Sequence, residues 1–218
     1  KQAIIPLAGL GTRLLPLTGV IPKELLPING KPGIEYIIEE CIGAGIKEII
    51  FIISNKKIMI KNYFFIDQFY KKIINKKKDK RILNEYKKIL KYKKMIKFVY
   101  QNSPLGTGDA VLKTEHLIKG KYFLMILPDD LIINKNCSKK MITIHKKYKA
   151  SVMASMSVNK KTVSRWGIYD IKKKLPKPSN SHITFKKHTI TPNFSITYDK
   201  VQGCTLGNII LVLSKRKG

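Results

Sequence analysis

Short apolar runs separated by polar, turn-forming residues recur along the first three quarters of the chain. Residues 2–8 (QAIIPLA) form an apolar, β-rich run that ends at Gly9, the pattern of a buried parallel strand. After Pro32, Ile34, Ile37, Ile38, Cys41 and Ile42 fall at helical spacing, an amphipathic face that Gly43 and Gly45 stop. Residues 48–54 (EIIFIIS) read as a second buried strand, which completes a strand–helix–strand unit. Further strands are predicted at 97–101, 122–128 and 151–157, and helices at 109–118 and 138–148. Residues 56–97 are polar and lysine-dense. They are predicted to be a helical insertion that lies over the sheet rather than joining its core. This alternation predicts an α/β domain over 1–171, a mostly parallel sheet flanked by helices. In such sheets ligands bind beyond the carboxyl ends of the strands. Residues 172–218 lose the regular period, with Pro176, Pro178 and Pro192 among lysines and hydroxyls, and only 208–213 (NIILVL) resembles a strand. This divergent C-terminal segment is expected to be poorly ordered.

Composition narrows the class. A chain of 218 residues, 44% hydrophobic and 26% charged, holds a sizeable core and is not a disordered polymer. Its apolar runs are far short of the ~20 residues that a bilayer demands, so no membrane span is expected. The three cysteines, Cys41, Cys137 and Cys204, form neither a disulfide framework nor a zinc spacing. With no secretory signal visible at the amino terminus, a reduced, cytoplasmic protein is expected.

The net charge of +29 is unevenly spread. Residues 56–97 carry sixteen basic and three acidic side chains, and residues 131–218 carry nineteen and two. Residues 1–55 are balanced at five each. Only four of the 43 basic residues are arginine. A nucleic-acid surface would use arginine for bidentate contacts and interleave aromatic residues, so the excess is read as solvated lysine, with nucleic acid an unlikely partner.

The candidate chemistry begins after the first strand, at Ala8-Gly9-Leu10-Gly11-Thr12-Arg13-Leu14-Leu15-Pro16, followed by Pro22-Lys23-Glu24-Leu25-Leu26-Pro27. Two glycines let the backbone turn tightly and bring N–H groups against an anion. Arg13 and Lys23 add positive charge for a polyphosphate. The dinucleotide fingerprint fails because Leu14 stands where its third glycine belongs, and a Gly-Lys-Ser/Thr Walker loop is absent.

The compound pattern Gly-x-Gly-Thr-Arg-x-x-Pro followed by Pro-Lys-Glu-x-Leu-Pro resembles the signature of the sugar-phosphate nucleotidylyltransferases. Within that family the wording is most similar to the bacterial-type UTP–glucose-1-phosphate uridylyltransferases. The resemblance runs to about residue 171 and implies a Rossmann-like nucleotidyltransferase fold, with UTP and glucose 1-phosphate as substrates. It implies that Arg13 and Lys23 are catalytic and contact phosphates, and that Ala8, Gly9, Gly11, Thr12 and Glu24 bind nucleotide. In Gln101-Asn102-Ser103-Pro104-Leu105-Gly106-Thr107-Gly108-Asp109, it implies that Gln101 reads the base edge and Gly106 lets the base approach the backbone. Thr107 and Asp109 stand where the uridylyltransferases usually have leucine and histidine. Relatives for other bases often carry threonine and an acid, so another base or sugar 1-phosphate is the alternative. Asp129, in Leu127-Pro128-Asp129-Asp130, corresponds to the family's metal-binding aspartate and implies Mg2+, whereas Asp130 reads as either a loop cap or a further ligand. Gly167, in Trp166-Gly167-Ile168, is implied to lie beside the sugar.

The family's Glu-Lys-Pro motif and a later metal-binding aspartate have no counterpart downstream. The resemblance therefore implies an incomplete C-terminal part, from a truncated or frame-disrupted gene or a separately encoded partner. Activity is then impaired, or only a nucleotide-binding remnant survives. The homo-oligomer of the relatives is left open.

Overall fold

The computed structural model describes residues 1–154, apart from 67, 78, 130, 133 and 134, together with the backbone of 210–214. The first strand, β1 (Gln2–Pro6), lies inside a sheet whose other members are β4 (Glu48–Ile53), β5 (Ile96–Tyr100), β6 (Tyr122–Ile126) and β7 (Ile210–Ser214). Their spatial order is β5-β4-β1-β6-β7. The first four are mutually parallel, with Ala3 opposite Ile49 and Leu124, and β7 runs antiparallel to β6. Central parallel strands are covered on both faces, which is why they read as unbroken apolar runs rather than alternating ones.

Successive residues of the strands feed two cores. On one face Ala3, Ile5, Leu7, Ile49, Phe51, Ile53, Leu124 and Ile126 pack together with residues of α1 (Gly33–Gly43), α2 (Ile58–Phe64), α4 (Lys80–Met95) and α6 (Cys137–Tyr148). On the other, Ile4, Ile50, Ile52, Val99, Phe123 and Met125 pack against Ala110 of α5 (Thr107–Leu112). The observed bounds lie within a residue or two of those expected for the first four strands and for α1 and α6. The expected helix at 109–118 is shorter, and ends in a separate 3-10 turn, Glu115–Leu117. Of the strand expected at 151–157, the described part holds a single bridge residue, Met153. The antiparallel β7 matches the expected run at 208–213.

The lysine-dense segment corrects one expectation. It is helical, as α2, α3 (Gln68–Lys77) and α4, but Ile60, Phe64, Ile89 and Tyr92 are buried members of the main core. The apolar stripe was hidden because lysines are interspersed among its apolar positions, while four large side chains suffice to seal two helices onto a sheet. Among them, Phe64 lies 5.8 Å from Phe51 of β4, ring centroid to centroid.

A small hairpin also escaped the sequence reading. Strands β2 (Pro27–Ile28) and β3 (Lys31–Pro32) pair antiparallel across Asn29 and Gly30, both at positive φ (48° and 74°). Asn-Gly supplies the left-handed pair that such two-residue turns require. The hairpin leads directly into α1, whose first residue, Gly33, donates its N–H to the Leu26 carbonyl at 3.1 Å.

Candidate active site

The loop leaving β1 crosses the carboxyl end of the sheet. Leu7 continues the strand by donating its N–H to the Ile52 carbonyl (2.7 Å), and the chain then turns at Gly11, φ +67°. A Cβ at Gly11 would stand 3.2 Å from Thr18 Cγ2, while the Thr18 hydroxyl donates to the Gly11 carbonyl at 2.8 Å. Glycine is thus required twice here, for the left-handed backbone and for the space. The 3-10 turn Thr12–Leu14 follows, and Thr12 and Arg13 are exposed, whereas Ala8 and Gly9 are half-buried beside the strand end.

The second part of the motif folds into another 3-10 turn, Lys23–Leu25. Its two charged residues go opposite ways. Lys23 reaches the end of β6, where its Nζ lies 3.1 Å from Asp129 Oδ2. Glu24 turns inward and accepts from Lys57 Nζ through both carboxylate oxygens, each at 2.8 Å, with both side chains buried. Burial pushes the Lys57 ammonium below its usual range. The charges of Glu24 and Asp129 oppose that shift, and the charge of Lys23 adds to it. The Glu24 carboxylate is spent on Lys57 rather than offered to a ligand.

Lys57 is the residue that the sequence reading missed. It was one lysine among many in a basic segment. The available signal was position, because it follows the carboxyl end of β4 by four residues, where α/β sheets hold their ligands. The same strand end carries Ser54, whose buried Oγ has no hydrogen-bond partner among the described residues.

Beside it, β5 is followed by Gln101, whose N–H donates to the Ile53 carbonyl at 2.8 Å. The Gln101 side chain is buried and donates both to the Gly106 carbonyl (3.0 Å) and to Asp109 Oδ2 (2.7 Å). Gly106 has φ 93° and opens α5, where Asp109 sits in the first turn. Next to Gln101, Asn102 accepts from the Asn55 N–H at 2.9 Å through its side-chain oxygen, which joins the loops after β4 and β5.

The predicted residues of the first 154 positions therefore collect at one end of the sheet: the glycine loop, Lys23 and Glu24 after β1, Gln101 and Gly106 after β5, and Asp129 after β6. Gly167 and Asp130 lie outside the described residues, as does Cys204. For a cation, the Asp129 side chain is 64% exposed, with the Lys23 ammonium as its partner. One such carboxylate completed by phosphate oxygens is the donor set magnesium accepts, so the residues present fit a divalent ion that arrives with a polyphosphate. No cluster of three or more acidic, histidine or cysteine ligands exists among the described residues.

The family model described as nucleotidyl transferase matches residues 2–180. The chain belongs to the nucleotidyl transferase family. It is 36% identical over 170 residues to a putative UTP–glucose-1-phosphate uridylyltransferase of Methanocaldococcus jannaschii, covering 78% of this chain and 59% of that one. It is 39% identical over 142 residues to the UTP–glucose-1-phosphate uridylyltransferase of Mycoplasma genitalium, 64% of this chain and 48% of that one. Among solved structures, a UTP-bound UGPase from Acinetobacter baumannii superposes with a TM-score of 0.78 at 28% identity, covering 98% of this chain and 74% of that one. A UDP-glucose pyrophosphorylase complexed with UDP-glucose gives 0.66 at 32% identity, covering 79% and 63%. The chain thus spans about three fifths of the length of the curated relatives it matches. The expected Rossmann-like, mostly parallel fold of this nucleotidyl transferase is borne out. Among the described residues no helix is long and apolar enough to cross a membrane.

Proposed function

We propose that this chain carries the nucleotide half of a UTP–glucose-1-phosphate uridylyltransferase, which makes UDP-glucose and pyrophosphate. The observation that carries the reading is the pairing of Lys23 with Asp129, 106 residues apart, at the end of the sheet where the glycine loop leaves β1. A carboxylate, a lysine and a glycine turn stand at the same end of the sheet, within a family whose similar members are named for this reaction.

In this reading the glycine loop, with Ala8, Gly9, Gly11 and Thr12, receives the triphosphate of UTP on its backbone N–H groups. A phosphate oxygen of glucose 1-phosphate attacks the α-phosphorus in line. The new P–O bond forms as the bond from the α-phosphorus to the bridging oxygen breaks, and pyrophosphate carries off that electron pair. Arg13 and Lys23 hold the triphosphate and neutralise the charge that develops on the leaving oxygens. Asp129 holds a magnesium ion, which when bound supplies further charge neutralisation on the phosphates. Gly167 receives the sugar. Glu24 acts indirectly, by fixing the turn that aims Lys23. No described side chain is needed as a covalent nucleophile.

The test is product analysis. The 218-residue chain, with UTP, glucose 1-phosphate and Mg2+, is expected to yield UDP-glucose and pyrophosphate in equal amounts. A chain that binds UTP but gives neither product, at concentrations that would reveal a rate lowered ~10³-fold, would restrict this reading to nucleotide binding.

A further inference from the structure

Helix α3 keeps its apolar side chains outside both cores. Phe69, Tyr70, Ile73 and Ile74 share one face, at the i, i+1, i+4 and i+5 spacing of a helix. Of the four, only Ile74 is drawn part-way against the body of the protein. Phe69 and Tyr70 are 63% and 61% exposed, with their rings in edge contact at 5.5 Å, and Ile73 is exposed beside them. The other positions of the helix are Gln68, Asn75 and four lysines, with no acidic residue. Among the described residues, Lys71, Lys72, Lys76 and Lys77 form no ion pair. One exposed apolar side chain needs no explanation. Two rings and an isoleucine side by side on a lysine-flanked helix mark a contact surface.

We propose that α3 is an interfacial helix, which seats this protein on a membrane surface rich in anionic phospholipid. Charge complementarity selects the partner. Lys72 and Lys76 stand one turn apart on the Phe69 border of the apolar face, and Lys71 flanks its Ile74 border. Their ammonium groups can meet lipid phosphates while their methylene stems follow Phe69, Tyr70 and Ile73 into the acyl boundary. A helix of 10 residues is far too short to span a bilayer, so it lies in the plane of the interface. A second copy of the chain fits this face badly. A two-fold contact would set α3 against α3, and four lysines from each would meet with no carboxylate from either helix. A nucleic-acid duplex would use the charge but leave the apolar face in water. The lysine excess is therefore solvated surface over most of the chain, whereas on α3 it frames a binding face. The inference is independent of the proposed uridylyl transfer.

The test is flotation of the purified 218-residue chain with two kinds of vesicle, phosphatidylcholine alone and phosphatidylcholine mixed equally with phosphatidylglycerol. The chain is expected to float with the mixed vesicles and to stay behind with the neutral ones. The triple variant Phe69→Ser/Tyr70→Ser/Ile73→Ser keeps every charge and is expected to lower partition onto the mixed vesicles roughly tenfold or more. Lys72→Glu/Lys76→Glu keeps the apolar face and is expected to lower it comparably. All five side chains are exposed, so far-ultraviolet circular dichroism should match wild type in both variants. A wild type left behind by the mixed vesicles overturns the inference, and binding to duplex DNA or self-association through this face would then name its occupant. Vesicle binding that the triple variant retains in full would be mere adsorption of lysine, and overturns it as well.

Discussion

The Lys23 ammonium lies 3.1 Å from Asp129 and so ties the loop after β1 to the end of β6. Each partner stands in for what the other would meet on a substrate: the carboxylate for a phosphate oxygen, and the ammonium for a cation. Lys23→Ala removes a charge from the triphosphate clamp and is expected to lower turnover by ~10³-fold or more. Far-ultraviolet circular dichroism and the unfolding midpoint should stay near wild type, because Lys23 is half-buried and packs no core. A variant of undiminished turnover would remove Lys23 from the machinery.

Glu24 and Lys57 form the buried counterpart of that pair. Breaking it by Glu24→Ala strands an ammonium away from water, which commonly costs about 3–5 kcal/mol. The expected outcome is a large fall in the urea midpoint. The double variant Glu24→Leu/Lys57→Met replaces both charges with apolar groups of similar size and should recover most of the loss. If the single and double variants were equally unstable, packing rather than charge would explain the effect.

Gly11→Ala probes the loop itself. A side chain at φ +67° costs about 1–2 kcal/mol, and its Cβ presses on Thr18 at 3.2 Å. The loop should shift and UTP affinity fall by roughly tenfold, the equivalent of ~1.4 kcal/mol, with the sheet intact. Isothermal titration with UTP checks this, and unaltered affinity would mean that the loop does not hold the phosphates.

Stability should fall in alkali for an identifiable reason. Burial, and then the hydrogen bond it donates to Glu35, raise Tyr63 well above the ordinary tyrosine range. Burial and the charge of Glu39 do the same to Tyr92. Lys88 is pulled down by burial but raised further by Glu35, 2.7 Å away, and by its other anionic neighbours. Above about pH 10 the unfolded chain loses these protons while the folded chain keeps them. The folded state then binds more protons, so stability declines as pH rises. These groups join α2 and α4 to α1, and Tyr63→Phe should flatten the decline of the melting temperature above pH 10. An identical slope in the variant would place the alkaline sensitivity elsewhere.

How much was legible follows from which forces act locally. The parallel strands could be read because burial on both faces leaves unbroken apolar runs, as at Ile49, Ile50, Phe51, Ile52 and Ile53. The glycine loop could be read because φ +67° at Gly11 is a local requirement. Lys57 could not, because its burial depends on Glu24, 33 residues earlier in the chain, and sequence distinguishes no buried lysine from a solvated one. The inner face of α2 and α4 was masked by the same lysines. Asp109 was visible only as a departure from the family wording, and its 2.7 Å hydrogen bond from Gln101 depends on the turn between them.

The central claim is uridylyl transfer at the site where Lys23 meets Asp129. The most direct measurement is pyrophosphate release from UTP by the 218-residue chain with Mg2+, with and without glucose 1-phosphate, beside Lys23→Ala. Release should depend on glucose 1-phosphate and be lost in the variant. Release that ignores the sugar phosphate, or persists in Lys23→Ala, would contradict it.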